Sequence, residues 1–127
     1  MEFDYTITTA KTFDKIVQKA QDEIAKASMR VLYIHDVQKT LSEKGFSREP
    51  FKIIEFCSAK FANEFLDKDI KIGLCLPCKI NVYTKDGQTF ISGMRPIILS
   101  QFFPQADLGE RSKEIDQIIQ NIINNTK

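Results

Sequence analysis

Residues 70–83 read Ile-Lys-Ile-Gly-Leu-Cys-Leu-Pro-Cys-Lys-Ile-Asn-Val-Tyr, which is the longest strand-like run in the chain. Every second residue is apolar, and this set consists of Ile70, Ile72, Leu74, Leu76, Cys78, Ile80 and Val82. Successive side chains of a β-strand point to opposite faces of its sheet, so the alternation predicts one long, half-buried antiparallel strand. The same pattern predicts that Cys78 lies on the core face and Cys75 on the opposite face.

The flanking sequence predicts a partner strand and an alternation of helices and strands. Asp86-Gly87 supplies the positive φ angles that a tight hairpin needs, which pairs the long strand with residues 88–95. Thr12, Asp36 and Ser58 are predicted N-caps, because each precedes a helical pattern. Further strands are predicted at 3–9, 29–36 and 51–57, and helices at 13–27, 37–44, 59–68 and 110–124. The order, roughly β-α-β-α-β-α-β-β-α, predicts an α+β domain with helices packed on an antiparallel sheet of about five strands.

The composition indicates one water-soluble domain that spans residues 1–127. Hydrophobic residues make up 43% and charged residues 28%, and no apolar run approaches the ~20 residues of a membrane helix. The 18 basic and 17 acidic residues leave a net charge of +1, so neither nucleic acid nor an anionic membrane is an expected partner. Three cysteines and an N-terminus without a secretory signal favour the cytoplasm. The periplasm is the alternative if the chain begins at a mature N-terminus.

An apolar segment at residues 97–103, bounded by Pro96 and Pro104, has three interpretations. It caps the core, forms a dimer surface, or acts as the lid of an apolar pocket. The sequence pattern leaves all three open.

Cys75 and Cys78 have the spacing of dithiol redox motifs. In such proteins the motif opens a helix, which brings the two sulfurs together and lowers a thiol pKa. A continuous strand would instead separate the two Cα atoms by roughly 10 Å, more than a disulfide allows. The strand pattern therefore favours a buried Cys78 and an incidental Cys75, and only a bulge at Pro77 would restore the redox motif.

Cys57 ends a predicted strand directly before the helix capped by Ser58. The free amides and the dipole of that helix could stabilise a thiolate, which makes Cys57 the candidate catalytic nucleophile. The alternative is a buried, inert cysteine that packs as a small hydrophobe.

Four candidate ligand-binding residues carry soft or imidazole groups: Cys57, Cys78, His35 and Met94. Such groups suit copper, zinc or haem iron. Nothing in their spacing brings them together, so no metal site is predicted and the cofactor stays undetermined. His35, which ends a strand beside Asp36, is interpreted as a surface or capping histidine.

Several short elements between residues 35 and 96 form a pattern of their own. They are Asp36-Val37 with Leu41, Phe51-Lys52-Ile53-Ile54-Glu55-Phe56-Cys57 with Ala59, Ile72-Gly73-Leu74-Cys75-Leu76-Pro77-Cys78-Lys79-Ile80-Asn81-Val82, Asp86-Gly87, and Met94-Arg95-Pro96. In these elements the chain resembles domain-of-unknown-function family 302. The resemblance implies a small α+β domain that pairs as a homodimer, and it implies no activity. By the same resemblance Cys57 and Cys78 match family cysteines, whereas Cys75 stands where an aliphatic residue is usual.

Three functional hypotheses follow. The preferred one is a small, soluble, dimeric module that binds an apolar or thiol-reactive ligand at a site lined by Cys57 and Cys78, which are predicted to approach each other. The second is an enzyme of thiol or sulfur chemistry, or a persulfide carrier, with Cys57 as nucleophile. The third is a structural dimer with inert cysteines. A carrier or enzyme needs a low thiol pKa at Cys57, whereas a binding module does not.

Overall fold

The computed structural model of the protein describes residues 2–127. The strands in this range are β1 (Asp4–Thr9), β2 (Arg30–Asp36), β3 (Phe51–Cys57), β4 (Cys78–Lys85) and β5 (Gln88–Met94). The α-helices are α1 (Phe13–Lys26), α2 (Val37–Ser42), α3 (Ala59–Lys68), α4 (Leu99–Phe102) and α5 (Gly109–Thr126). Short 3-10 helices at Ile70–Cys75, Pro96–Ile98 and Pro104–Ala106 connect them.

The strands form one antiparallel sheet in the order β1-β5-β4-β3-β2. Each neighbouring pair is antiparallel. The order of helices and strands along the chain, the sheet and its antiparallel pairing confirm the predicted α+β fold.

The hairpin between β4 and β5 is confirmed. The two strands pair from Ile80 opposite Gly93 to Lys85 opposite Gln88. The turn residues between them have positive φ angles, 52° for Asp86 and 79° for Gly87. Positive φ at both central residues is what a two-residue hairpin turn requires.

The longest predicted strand is shorter than expected, because β4 begins at Cys78 and residues 70–75 form a 3-10 helix. Asp69 begins that helix, where its carboxylate accepts a hydrogen bond of 2.9 Å from a backbone N–H two residues later. Pro77 separates the two elements, and proline cannot donate a backbone hydrogen bond to a sheet. Leu74, predicted to face the core, is 87% exposed. The predicted alternation therefore holds only for the part of the run that lies in β4.

Helices α1 and α5 cover one face of the sheet and pack against each other. The buried core beneath them includes Ile54, Phe56, Ile80, Val82 and Ile91 of the sheet with Ile16, Ala20, Ile24, Ile115, Ile119 and Ile123 of the helices. The three predicted N-caps are confirmed, because the side chains of Thr12, Asp36 and Ser58 each accept a hydrogen bond from a backbone N–H in the first turn of their helix.

We call the opposite side of the sheet the open face. Three rings stack across it from strand to strand, with centroids of Phe51 and Tyr83 5.2 Å apart and those of Tyr83 and Phe90 5.3 Å apart. The Tyr83 hydroxyl lies 2.8 Å from the Ser92 hydroxyl, which lies 2.8 Å from that of Thr6. The short helix α2 packs against β3. The open face thus combines an aromatic ladder with a polar network.

The apolar segment between Pro96 and Pro104 caps the core. It folds into a 3-10 turn and α4, in which Ile98 and Leu99 are almost completely buried while Phe102 is 69% exposed. The burial of these two residues therefore confirms the interpretation that the segment caps the core.

Gly93 allows α5 to lie close against β5. A Cβ atom at this position would lie 2.9 Å from Cδ1 of Ile123 and 3.4 Å from Cγ2 of Ile119. Both isoleucines are buried, so neither side chain has free space to move into.

We therefore expect Gly93→Ala to lower the free energy of unfolding by about 1–3 kcal/mol through overpacking, measured by chemical denaturation. Ile123→Val removes the contacting Cδ1 atom and by itself costs about 1 kcal/mol. The double variant should lose less stability than the sum of the two single variants. Additive losses would show that the clash with Ile123 is not the cause.

Candidate functional site

Three sulfur-containing side chains gather where β4 begins and β5 ends. A cavity of about 60 Å³ lies there, which we call the sulfur cavity. One water molecule needs about 10–15 Å³ of such space, so the sulfur cavity has room for a ligand of only a few heavy atoms. Its lining is mostly apolar and consists of Phe65, Cys75, Leu76, Pro77, Cys78, Lys79, Met94, Pro96 and Leu99.

Cys57 lies behind one wall of the sulfur cavity. It lines a smaller cavity of about 10 Å³, together with residues of α3 and with Ile115 of α5. Phe65, Leu76 and Cys78 line both cavities. The residue before Cys57 is the sheet partner of Cys78, so the two cysteines occupy neighbouring positions on adjacent strands. They approach each other as predicted, and both are free thiols.

Burial raises the pKa of both of these thiols. The pKa of Cys78 rises from 9.0 to about 11, chiefly because the thiolate would lose its hydration; the charge of Cys57 raises it further and Lys79 opposes the rise. Burial also raises the pKa of Cys57. The backbone N–H of Phe61, expected to favour the thiolate, donates to the Ser58 hydroxyl instead, at 3.4 Å. The expectation that the N-terminus of α3 lowers the Cys57 pKa is therefore wrong in direction.

Cys75 is the site residue that the sequence interpretation missed. A continuous strand would have pointed it away from Cys78, but the 3-10 helix that ends at Cys75 brings it to the same cavity. The peptide bond between Leu76 and Pro77 is cis. The signal that could have found this arrangement is Pro77, since a proline inside a strand pattern indicates an edge, a bulge or an interruption.

An ion pair between Arg95, which follows Met94, and the buried carboxylate of Asp116 joins the end of β5 to α5. The guanidinium of Arg95 donates to both carboxylate oxygens of Asp116, at 3.3 and 3.0 Å, and Asp116 is 4% exposed. The Gln120 side chain donates a further hydrogen bond of 2.7 Å to the same carboxylate. The hydrogen bonds that Arg95 donates to Asp116 raise the pKa of the guanidinium, which keeps it charged.

His35, the fourth predicted ligand residue, lies apart from the sulfur cavity. It is opposite Ile53 in the sheet, three residues along β3 from the partner of Cys78. At about 3.3 Å per residue along β3 and about 4.8 Å for each of the two strand spacings between β2 and β4, this places His35 roughly 14 Å from Cys78. Its Nε2 atom lies 2.5 Å from Oε1 of Glu55, and its side chain is 46% exposed. The structure thus brings together Cys57, Cys78 and Met94 and leaves His35 as a surface histidine.

Among residues 2–127, no three His, Cys, Asp or Glu side chains are grouped so that they could hold a metal ion. Within the same part of the chain, no helix has the length and apolar character needed to cross a membrane.

The fold and its cavities define a small α+β domain in which helices cover one face of a five-stranded antiparallel sheet. The profile of one family, described as "Domain of unknown function DUF302", matches residues 5–126. The chain therefore belongs to the DUF302 family.

A solved structure agrees with this assignment. The crystal structure of an uncharacterized conserved DUF302 protein from Bacillus stearothermophilus superposes with a TM-score of 0.93 at 24% sequence identity, over 100% of both chains. At this identity the likeness concerns the fold. A comparison with curated proteins gives no match.

Proposed function

We propose that the chain is a small dimeric binding module that holds an apolar or thiol-reactive ligand of a few heavy atoms in the sulfur cavity. The observation that carries the proposal is the convergence of Cys75, Cys78 and Met94 on one mostly apolar cavity. Apolar walls with a few well-placed polar or reactive groups are typical of ligand sites. Sulfur is polarisable and binds soft partners. The sulfur cavity would therefore select its ligand by chemistry as well as by size.

The second candidate, a thiol enzyme or persulfide carrier that uses Cys57, has weaker support. Such a protein needs a thiolate near neutral pH. Burial raises the pKa of both Cys57 and Cys78, so both thiols stay protonated at that pH. A binding module tolerates protonated thiols, and for this reason we prefer it.

The test compares two thiol reagents of different size on a Cys57→Ser, Cys75→Ser variant, in which Cys78 is the only thiol. The methylmercury cation, with two heavy atoms, fits a cavity of about 60 Å³; N-ethylmaleimide, with about nine, does not. We expect methylmercury to replace the Cys78 thiol proton in the folded protein, detected as one adduct by native mass spectrometry. N-ethylmaleimide should react with Cys78 only after unfolding.

Equal reaction of both reagents with the folded variant would contradict a size-limited site. A Cys57→Ser, Cys78→Ser variant retains only Cys75, which also lines the sulfur cavity. It serves as the matched control, because it reports how the same two reagents react with the other cysteine of that cavity. Alkylation of Cys57 in the native chain faster than that of Cys75 near pH 6 would favour the thiol enzyme.

The proposal includes a homodimer, as the resemblance to the family implies. The surface we assign to it is the aromatic ladder of Phe51, Tyr83 and Phe90, because α1 and α5 cover the other face of the sheet. Aromatic side chains are enriched at protein interfaces. Sedimentation equilibrium measures the oligomeric state. A monomer at micromolar concentration would contradict the proposed homodimer.

A further inference from the structure

A second concave site lies on the open face, outside the sulfur cavity. It is a groove of about 280 Å³ between α2 and the sheet, lined by His35, Val37, Thr40, Leu41, Ile53 and Lys79. We call it the α2 groove. Its volume is close to the lower end of the range for small-molecule sites, about 300 Å³. Val37, Leu41 and Ile53 give it an apolar floor and wall.

The charge of Lys79 lies at the edge of the α2 groove, and the acid opposite it in the sheet contacts another residue. Lys79 lies directly opposite Glu55 in the register of β3 and β4, where an ion pair would be expected. The Glu55 carboxylate instead contacts Nε2 of His35, at 2.5 Å, and Glu55 is only 19% exposed. Among the ion pairs formed by residues 2–127, none includes Lys79.

Lys79 thus forms no ion pair with the acid opposite it in the sheet and lies beside apolar side chains of the α2 groove. Oε1 of Glu55 contacts the only histidine of the chain, and Glu55 forms no ion pair with Lys79. An ammonium group next to an apolar groove is complementary to a molecule with an apolar tail and an anionic head.

We propose that the α2 groove binds a small amphipathic carboxylate. The tail lies against Val37, Leu41 and Ile53, and the carboxylate lies at the Lys79 ammonium. Lys79 lines both this groove and the sulfur cavity, but no cysteine and no Met94 lines the α2 groove. The methyl groups of Val37, Leu41 and Ile53 therefore report on this groove alone.

The experiment is a titration of the full chain with hexanoate, followed by the methyl NMR signals of Val37, Leu41 and Ile53. Two matched probes separate the contributions of tail and head: hexan-1-ol has the tail without the charge, and acetate has the charge without the tail. Lys79→Met removes the ammonium and keeps an apolar stem, whereas Lys85→Met makes the same change elsewhere on β4. All titrations use one protein concentration, so that the oligomeric state is constant.

We expect saturable shifts at the three methyl groups with hexanoate, at a dissociation constant on the order of millimolar for so small a ligand. Hexan-1-ol should bind about fivefold more weakly and acetate should give no saturation, because a partly exposed ion pair is worth up to about 1 kcal/mol. Lys79→Met should weaken hexanoate binding by the same factor, and Lys85→Met should not change it.

Any of three results would overturn the proposal. These are equal binding of hexanoate and hexan-1-ol, unchanged hexanoate binding by Lys79→Met, and the absence of saturable hexanoate shifts at the methyl groups of Val37, Leu41 and Ile53. None of these results bears on the proposed function, because hexanoate, with about eight heavy atoms, is too large for the sulfur cavity of about 60 Å³.

Discussion

Asp116→Ala is expected to lower the free energy of unfolding by about 2 kcal/mol, because it removes a buried carboxylate that accepts several hydrogen bonds. The carboxylate is 4% exposed and accepts hydrogen bonds from both Arg95 and Gln120. The Arg95 side chain is 27% exposed and stays partly hydrated, so the loss comes chiefly from the hydrogen-bond donors of Arg95 and Gln120 that are left without an acceptor. Urea denaturation followed by circular dichroism measures the loss.

Two variants separate this cause from a general effect of mutation in α5. Asp116→Asn keeps the volume and some of the hydrogen bonds, and should lose less stability than Asp116→Ala. Glu114→Ala removes an acid whose side chain is 49% exposed and paired with Arg111, and should change stability by at most about 0.5 kcal/mol. If Glu114→Ala were as destabilising as Asp116→Ala, loss of the buried carboxylate would not be the cause.

The second large effect concerns the reactivity of Cys78. With its pKa raised from 9.0 to about 11, the Cys78 thiolate at pH 8 is about a hundredfold rarer than that of an ordinary cysteine. We therefore expect iodoacetamide to alkylate Cys78 about a hundredfold more slowly in the folded protein than in the unfolded chain. Peptide-level mass spectrometry over time measures both rates, and similar rates in the two states would contradict the raised pKa.

The same shift makes stability depend on pH in a defined direction. A thiol whose pKa is higher in the folded state binds its proton more tightly there, so its contribution to stability is complete below the unfolded pKa of 9.0. This contribution is lost as the pH rises from 9 through about 11. In that interval the native chain should lose about 2 kcal/mol more stability than Cys78→Ser. Lysines and tyrosines also titrate there, but they are common to both proteins, so the difference isolates Cys78.

The burial that lowers the reactivity of Cys78 also bears on the proposed function. A protonated thiol in a small apolar cavity does not react readily with water-borne oxidants or alkylating agents. It still offers a soft sulfur to a ligand small enough to enter. The apolar lining that raises the pKa of Cys78 is therefore consistent with a binding site and argues against a nucleophile.

Local sequence signals were sufficient for most of the fold. The N-caps Thr12, Asp36 and Ser58 mark helix starts because a capping side chain bonds to amides only two or three residues away. Asp86-Gly87 marks the hairpin because only such residues adopt positive φ readily. The alternation in β4 and β5 then set which side chains face the helices, since a shift of one residue would turn the whole apolar set to the other face.

The candidate site, in contrast, depends on contacts between separate segments, which no local sequence pattern predicts. The alternation at residues 70–76 predicted a strand, but the hydrogen bond to Asp69 and the missing N–H of Pro77 favour a 3-10 helix and a break, which brings Cys75 to Cys78. The direction of the Cys57 pKa shift depends on burial by elements distant in sequence, including α5, and helix-end electrostatics alone gave the wrong sign.

The sequence by itself determined the α+β class, the hairpin and the position of each cap, because these follow from periodicity and from interactions within a few residues. Only the tertiary structure decided that Met94 joins the cysteines, that His35 pairs with Glu55 and that Lys79 forms no ion pair within residues 2–127. These outcomes depend on which side chains from separate strands meet and on how much water they lose. Both are properties of the packed sheet and its helices and not of any one segment.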